Sequence, residues 1–282
     1  MINFQLYTLG GKQVWQDKTI FAGWRIQENI ISGHARLLDP DNKRMAWGRY
    51  EHCQHQLNRF KKTKQIRPSS PHLLLMVHGI TRSTGTFSTI KRALIKAGYD
   101  AVAISYPSTR LTIEQHAAAL VQLLNRLEGY TTVSFITHSM GGIILRHVLA
   151  NKTSWHNNIT LGDVVMIAPP NQGSVIAKTL KNRLLYKLIY GKSGQQLVPD
   201  KIKAMPTPKN IHPLIIAGGK QNGTGFNPIL NGDNDSTVKV SETKLDGHKM
   251  PLIIPAIHSA ILKHPDTIKA TLKFLKKKDE YR

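Results

Sequence analysis

From residue 72 onward, the hydrophobic positions alternate between short apolar runs and segments with helical spacing. The strand-sized runs are 73–77, 101–105, 132–137, 163–168, 213–217 and 252–254. Helical spacing occupies 90–97, 112–127, 140–150 and the segment from 265 onward. Strands that alternate with helices predict an α/β fold, a mostly parallel, doubly wound sheet with helices on both faces.

The first 71 residues have a different pattern. Hydrophobic residues there alternate with polar ones, as in 13–16 and 22–26, and a turn signal separates two such runs at 38–42. This pattern predicts antiparallel strands or hairpins. A basic and proline-rich stretch at 61–71 predicts a linker. We therefore expect an N-terminal β-rich extension over 1–71, followed by the main domain over 72–282.

The charge changes the picture because it is strongly positive. The chain has 39 Lys and Arg against 17 Asp and Glu, a net charge of +22. The excess is spread along the chain, with 12 basic and 5 acidic residues in 1–71 and 27 and 12 in the remainder. Such a field attracts nucleic acid, anionic lipid or another acidic partner. A hydrophobic content of 40% excludes a disordered chain.

The sequence contains few features that indicate a cellular compartment. No apolar run approaches the roughly 20 residues needed to span a bilayer, and the first residues lack the basic start and apolar stretch of a secretory signal. The single cysteine, Cys53, excludes an intrachain disulfide. We therefore expect a cytoplasmic or peripheral membrane location.

The segment with candidate chemistry is a strand that runs directly into a tight turn and a helix at 132–142. Ser139 occupies the turn, and Gly141 and Gly142 follow it. Small residues at this point allow strand and helix to approach closely. The helix N-terminus also presents N–H groups beside the hydroxyl, as a nucleophile that attacks a carbonyl requires.

This turn resembles the nucleophile elbow of the α/β-hydrolase family, and within that family the bacterial serine lipases and esterases. The family pattern is Gly-x-Ser-x-Gly, and Thr137 replaces its first glycine here. His78 and Gly79 after the first strand of the main domain resemble the family's oxyanion loop. The resemblance covers roughly residues 72–278. It implies an α/β-hydrolase fold and hydrolysis of carboxylic esters, with lipid acyl esters as the expected substrates.

The resemblance also implies the partners of the nucleophile. A Gly-x-x-Asp-x-x-Val pattern assigns the acid to Asp235, with Asp233 as the local competitor and turn formation as the alternative role of both. The base is expected to be His258, after the last strand, with His248 and His264 as rivals. The order serine, aspartate, histidine is the order this fold uses.

The expected mechanism proceeds through a covalent acyl-enzyme. The backbone N–H groups of Met140 and Ile80 are expected to stabilise the oxyanion. The prediction includes no cofactor. It also includes no metal, because the cluster of possible metal ligands at 52–55 contains only one cysteine.

A basic insertion at about 174–212 is the candidate cap or lid. It has Leu180, Leu184 and Leu188 at helical spacing, which predicts one apolar helix face and candidate substrate contacts. A basic amphipathic helix of this kind would contact an anionic membrane surface. The alternative is a cap helix packed on the sheet with a solvated basic face.

Other functions fit parts of the same sequence. An acyltransferase or thioesterase would use the same three residues. A non-catalytic basic protein on a hydrolase scaffold would bind membrane or nucleic acid. Nucleic acid is the less favoured partner, because no stripe of aromatic and basic residues is apparent along the chain. The sequence predicts no oligomeric state.

Overall fold

Two sheets organise the chain. The computed structural model describes residues 13–151, 155 and 159–279, with the backbone alone for 277–279. The first sheet is an antiparallel meander whose strands lie side by side in chain order. Its strands are β1 (Trp15–Phe21), β2 (Trp24–Asn29), β3 (Ala35–Leu38) and β4 (Arg44–Gly48). The predicted antiparallel strands are therefore confirmed within the described residues.

A helix, α1 (Tyr50–Thr63), follows this sheet where no helix was predicted. Cys53 and Leu57 are fully buried against the sheet, and Phe60 packs beside them. Their spacing is helical, but the basic end of the segment suggested a linker beginning at residue 61. That boundary was wrong, because Lys61 and Lys62 belong to the last turn of α1.

The second sheet has six strands, and every neighbouring pair is parallel. In chain order the strands are β5 (His72–Val77), β6 (Asp100–Ile104), β7 (Thr132–His138), β8 (Thr160–Ile167), β9 (Leu214–Gly218) and β10 (Leu252–Ile254). Their spatial order is β6-β5-β7-β8-β9-β10. After β5 the chain forms β6 on one side of that strand and then β7 on its other side. A ligand site is expected beyond the carboxyl ends of strands where the order reverses in this way.

Helices cover both faces of this sheet, as predicted. They are α2 (Ser88–Lys96), α3 (Ile113–Leu124), α4 (Met140–Ala150) and, after the four helices described below, α9 (Pro265–Asp279). Leu73 and Leu75 of β5 pack with α3 and α4, whereas Leu74 and Met76 pack on the other face with α2 and α9. Because both faces of β5 are buried, its sequence is apolar throughout instead of alternating.

The loops around the carboxyl edge of the sheet contain four further helices. They are α5 (Val175–Leu180), α6 (Leu184–Gly194), α7 (Pro199–Lys203) and α8 (Val240–Thr243), with 3-10 turns at Thr84–Phe87 and Ile261–Lys263. The single apolar face predicted for Leu180, Leu184 and Leu188 is wrong, because α5 ends at Leu180 and α6 begins at Leu184. The turn between them contains Asn182, a residue type that favours turns over helix interiors. Across the described part of the chain, no helix is long and apolar enough to cross a membrane.

The N-terminal sheet is joined to the parallel sheet by buried polar contacts. The Asp17 amide donates to the Ser105 carbonyl at 3.0 Å, and the Ser105 amide donates to an Asp17 carboxylate oxygen at 2.6 Å. Ile20 of β1 lies in the same core as α3 and α4. The antiparallel sheet therefore packs directly beside the carboxyl end of β6.

Candidate active site

Ser139 lies at the junction between β7 and α4, in a backbone conformation that few residues adopt. Its φ is 54° and its ψ is −127°, and its amide donates to the Ile167 carbonyl at 2.9 Å. A side chain at Gly141 would place its Cβ 2.2 Å from the Val77 carbonyl oxygen. Strand and helix therefore approach so closely that only glycine fits, as the sequence pattern indicated.

Thr137 occupies the position where the family pattern has its first glycine. The side chain is fully buried, and its hydroxyl donates to the Val165 carbonyl of β8 at 3.4 Å. The neighbouring strand thus provides a partner for the hydroxyl, and the departure from the pattern leaves the turn intact.

The structure brings together the three side chains that the sequence selected. The Nε2 atom of His258 lies 3.1 Å from the Oγ atom of Ser139, and its Nδ1 atom lies 2.6 Å from an Asp235 carboxylate oxygen. The His258 amide also donates to the Asp235 carbonyl at 2.7 Å. All three side chains are buried. The serine hydroxyl thus has a base within hydrogen-bond reach, and a carboxylate orients that base.

Asp235 and its competitor Asp233 have different surroundings. The second carboxylate oxygen of Asp235 accepts from the amides of Thr237 and Val238, at 2.9 and 2.7 Å. Asp233 instead accepts from the amides of Lys220 and Gln221, at 2.8 Å each, and so organises the neighbouring loop. Asp233 is therefore the turn former, and Asp235 is the carboxylate beside the imidazole.

The rival histidines lie away from the serine. His248 contacts the Pro208 carbonyl at 3.2 Å, and His264 lies beside Asp266 at the start of α9.

A further histidine, His138, packs against His258 with ring centroids 4.7 Å apart. Its Nε2 atom lies 3.2 Å from the His258 carbonyl oxygen. Burial and the positive field of His258 hold the pKa of His138 well below its ordinary value, so this imidazole is neutral. A neutral ring that donates from Nε2 helps to hold the His258 backbone in place.

The two expected oxyanion donors, the backbone N–H groups of Met140 and Ile80, belong to segments next to the serine. Met140 is the first residue of α4, where amides have no acceptor within the helix. Ile80 follows β5, and its amide donates to none of the described residues. The loop carrying Ile80 runs close to the nucleophile, since a Cβ on Gly79 would lie 2.9 Å from the Ser139 Cβ atom.

A pocket of about 130 Å³ opens onto Ser139 and His258. Its apolar lining includes Ile80 after β5, Ile176 and Ala177 of α5, Tyr186 and Tyr190 of α6, and Leu197 between α6 and α7. The exposed Arg82 also lines this pocket.

The expected substrate contacts Leu180, Leu184 and Leu188 do not line this pocket. Tyr186 and Tyr190 are four residues apart on α6 and face the serine, so Leu184 and Leu188, two positions away, face outward. Leu184 is 73% exposed and Leu188 is 72% exposed. The prediction selected the correct helix but the opposite side of it.

Among the described side chains, no group of three or more His, Cys, Asp or Glu is arranged so that it could hold a metal ion.

Comparison with solved structures shows which fold this is. The chain is similar to a Bacillus licheniformis lipase, BlEst2, in its mature form, with a TM-score of 0.57 and 20% identity over 72% of this chain and 91% of the lipase. It is also similar to a metagenomic carboxyl esterase, MGS0156, with a TM-score of 0.55 and 16% identity over 68% of this chain and 65% of the esterase. At these identities the likeness concerns the fold, and it confirms the predicted α/β-hydrolase architecture.

Comparisons by sequence are less informative. No curated protein matches the chain. A family model described as a domain of unknown function, DUF7379, matches residues 42–216, from the N-terminal sheet to the fifth parallel strand. This match spans more than half of the sequence, and the chain therefore belongs to the DUF7379 family.

Proposed function

We propose that this protein is a serine hydrolase that cleaves carboxylic esters. The observation that carries the proposal is the pair of contacts made by His258, 3.1 Å from the Ser139 hydroxyl and 2.6 Å from the Asp235 carboxylate. The lipase and esterase folds similar to this chain are consistent with that chemistry.

The reaction begins when the Ser139 oxygen attacks the ester carbonyl carbon and the Nε2 atom of His258 takes the hydroxyl proton. Asp235 fixes the imidazole tautomer and stabilises the imidazolium. The tetrahedral intermediate collapses, the C–O bond to the alcohol breaks, and the imidazolium returns its proton to that oxygen. A water molecule, deprotonated by the same imidazole, then attacks the acyl-enzyme and releases the acid.

The negative charge on the tetrahedral oxygen requires donors already in place. We assign this role to the amides of Met140 and Ile80, which flank the nucleophile and have no competing acceptor among the described residues. Loss of one such donor costs about 3 kcal/mol of transition-state stabilisation.

The pocket wall supports an apolar acyl chain as the preferred group. Ile176, Ala177, Tyr186 and Tyr190 offer aliphatic and aromatic surface directly beside the triad. Burial of each methylene of an acyl chain against such a wall contributes about 0.8 kcal/mol.

The outer side of α6 supports delivery of lipid esters from a membrane. Its exposed apolar residues are Leu184, Leu185, Leu188 and Ile189. The surrounding basic residues are Lys178, Lys181, Arg183, Lys187 and Lys192, and 174–199 contains no Asp or Glu. We propose that this surface, the outer face of α6, contacts an anionic bilayer, because apolar burial and charge attraction act there together. The protein would then act as a peripheral membrane enzyme.

Turnover of p-nitrophenyl esters of increasing chain length tests the proposal. Ser139→Ala should abolish activity, and Asp235→Asn should lower kcat by about 10⁴-fold because it permits the wrong tautomer. Asp233→Asn is the matched control, since it changes a neighbouring carboxylate that makes only loop contacts. Unchanged turnover in Ser139→Ala would contradict the proposal. Product analysis with an alcohol acceptor or an acyl thioester separates hydrolysis from transfer.

A further inference from the structure

The loop that follows β6, residues 105–111, contacts the segment carrying the proposed oxyanion donor. We call that segment, residues 78–82, the oxyanion loop. The Tyr106 hydroxyl donates to the His78 carbonyl, and the Thr81 amide donates to the Ser108 hydroxyl at 3.0 Å. The two contacts lie on either side of Ile80. The 105–111 loop therefore holds the oxyanion loop both before and after the donor.

Thr81 requires such support. Its φ is 59°, in the left-handed region that costs a non-glycine residue free energy unless the surroundings impose it. The hydrogen bond from its amide to Ser108 is a contact that fixes this conformation. Without it, the chain after Ile80 is free to relax, and the direction of the Ile80 N–H relaxes with it.

Ser108 is itself held by the N-terminal segment. It is fully buried, and the side-chain amide of Gln13 donates to its hydroxyl at 3.1 Å. The carbonyl oxygen of that same amide accepts from the Thr109 amide and hydroxyl, at 3.2 and 2.9 Å. The single side chain of Gln13, shortly before β1, thus holds two consecutive residues of the 105–111 loop.

We propose that Ser108 is a positioning residue for the oxyanion donor, with Gln13 as its support. The N-terminal extension, for which the sequence indicates no role, is then part of the catalytic unit. This inference rests on the proposed ester hydrolysis. An oxyanion donor acts only within a narrow range of distance, and a displacement of about 1 Å lowers the rate roughly 100-fold.

The test compares Ser108→Ala with Ser70→Ala in the full chain. Ser70 is a matched control, because its hydroxyl also accepts one backbone amide at 3.0 Å, that of His72, at the opposite end of β5. The assays are kcat and KM for a p-nitrophenyl ester and the inhibition constant of a trifluoromethyl ketone, which forms a tetrahedral adduct with serine.

Ser108→Ala should lower kcat by roughly tenfold or more and leave KM within about twofold. Its affinity for the trifluoromethyl ketone should fall by the same factor as kcat/KM, because both depend on the oxyanion donors. Ser70→Ala should change none of these values by more than about twofold. If Ser108 had a purely structural role, Ser108→Ala would lower the melting temperature, but kcat/KM and the affinity for the ketone would not fall together.

Gln13→Ala provides a second variant, should Ser108→Ala not fold. Gln13 lies at the edge of the core, and its loss should lower kcat and ketone affinity together by roughly threefold to tenfold. Equal behaviour of Ser108→Ala and Ser70→Ala, or unchanged values in Gln13→Ala, would overturn the positioning role. If Ser139→Ala is inactive at the same time, the ester hydrolysis itself stands. If Ser139→Ala remains active, both proposals are wrong.

Discussion

Acid should unfold this protein because three histidines near the site are buried in their neutral form. Burial lowers the pKa of His78 to about 4, and burial, with repulsion from His78 whenever that ring is protonated, lowers the pKa of His116 to about 3. The pKa of His138 lies well below its ordinary value for similar reasons. In the unfolded chain each imidazole has the ordinary pKa of 6.5.

The direction of the effect follows from linkage. A base whose pKa is lowered by folding contributes stability above pH 6.5, and this stability is lost as the pH falls towards the folded pKa. At pH 5, about 1.5 units below the unfolded value, His78 and His116 each lower the free energy of unfolding by about 2 kcal/mol, at about 1.4 kcal/mol per pKa unit. Together these two groups remove about 4 kcal/mol, a large share of a typical stability of 5–15 kcal/mol, and His138 acts in the same direction.

His116→Phe isolates one of these contributions. Neither ring nitrogen of His116 has a hydrogen-bond partner in the described residues, and the ring meets Tyr106 edge-on at 4.9 Å. Phenylalanine keeps the ring contact with Tyr106 but has no nitrogen that acid could protonate. In urea unfolding, the free energy of unfolding of the variant, compared with that of wild type, should therefore rise by about 2 kcal/mol when the pH is lowered from 8 to 5.

The control for this measurement is His55→Phe. His55 is exposed on α1, so its imidazole meets water in both states. The reasoning is refuted if the free-energy difference between His116→Phe and wild type is the same at pH 5 and pH 8.

Two further predictions concern the elbow and the outer face of α6. Gly141→Ala should destabilise the protein by about 3 kcal/mol in urea unfolding, because its Cβ would overlap the Val77 carbonyl oxygen; a loss below about 0.5 kcal/mol contradicts this packing. The double change Leu184→Ser and Leu188→Ser should slow hydrolysis of lipid esters in anionic vesicles and leave soluble esters unaffected. Ile31→Ser, which alters an equally exposed residue in the turn between β2 and β3, should affect neither assay.

The parallel sheet could be predicted because its strands have no solvent face. β5 is apolar at consecutive positions, and each position enters one of two cores. The helix α1 was not predicted, because most of its surface faces solvent. It buries few residues, chiefly Cys53 and Leu57, and its remaining surface is polar and basic, so the apolar signal was weak.

The site was partly visible in the sequence. Ser139 was selected from a local turn pattern, Asp235 from a Gly-x-x-Asp-x-x-Val pattern, and His258 from its place after the last strand, all within the resemblance to the α/β-hydrolase family. The side of α6 that meets the pocket was not found, because Tyr186 and Leu184 lie on faces that only the packing of the cap distinguishes. Nor was the contact of Gln13 with the 105–111 loop, because the partners are almost 100 residues apart.

The most direct test of the central claim is to label the protein with a fluorophosphonate and identify the modified peptide by mass spectrometry. The claim is that His258 activates the Ser139 hydroxyl. It predicts one adduct, on Ser139, and a labelling rate lower by roughly 10³-fold or more in His258→Ala. An adduct on another residue, or an unchanged rate in His258→Ala, would contradict it.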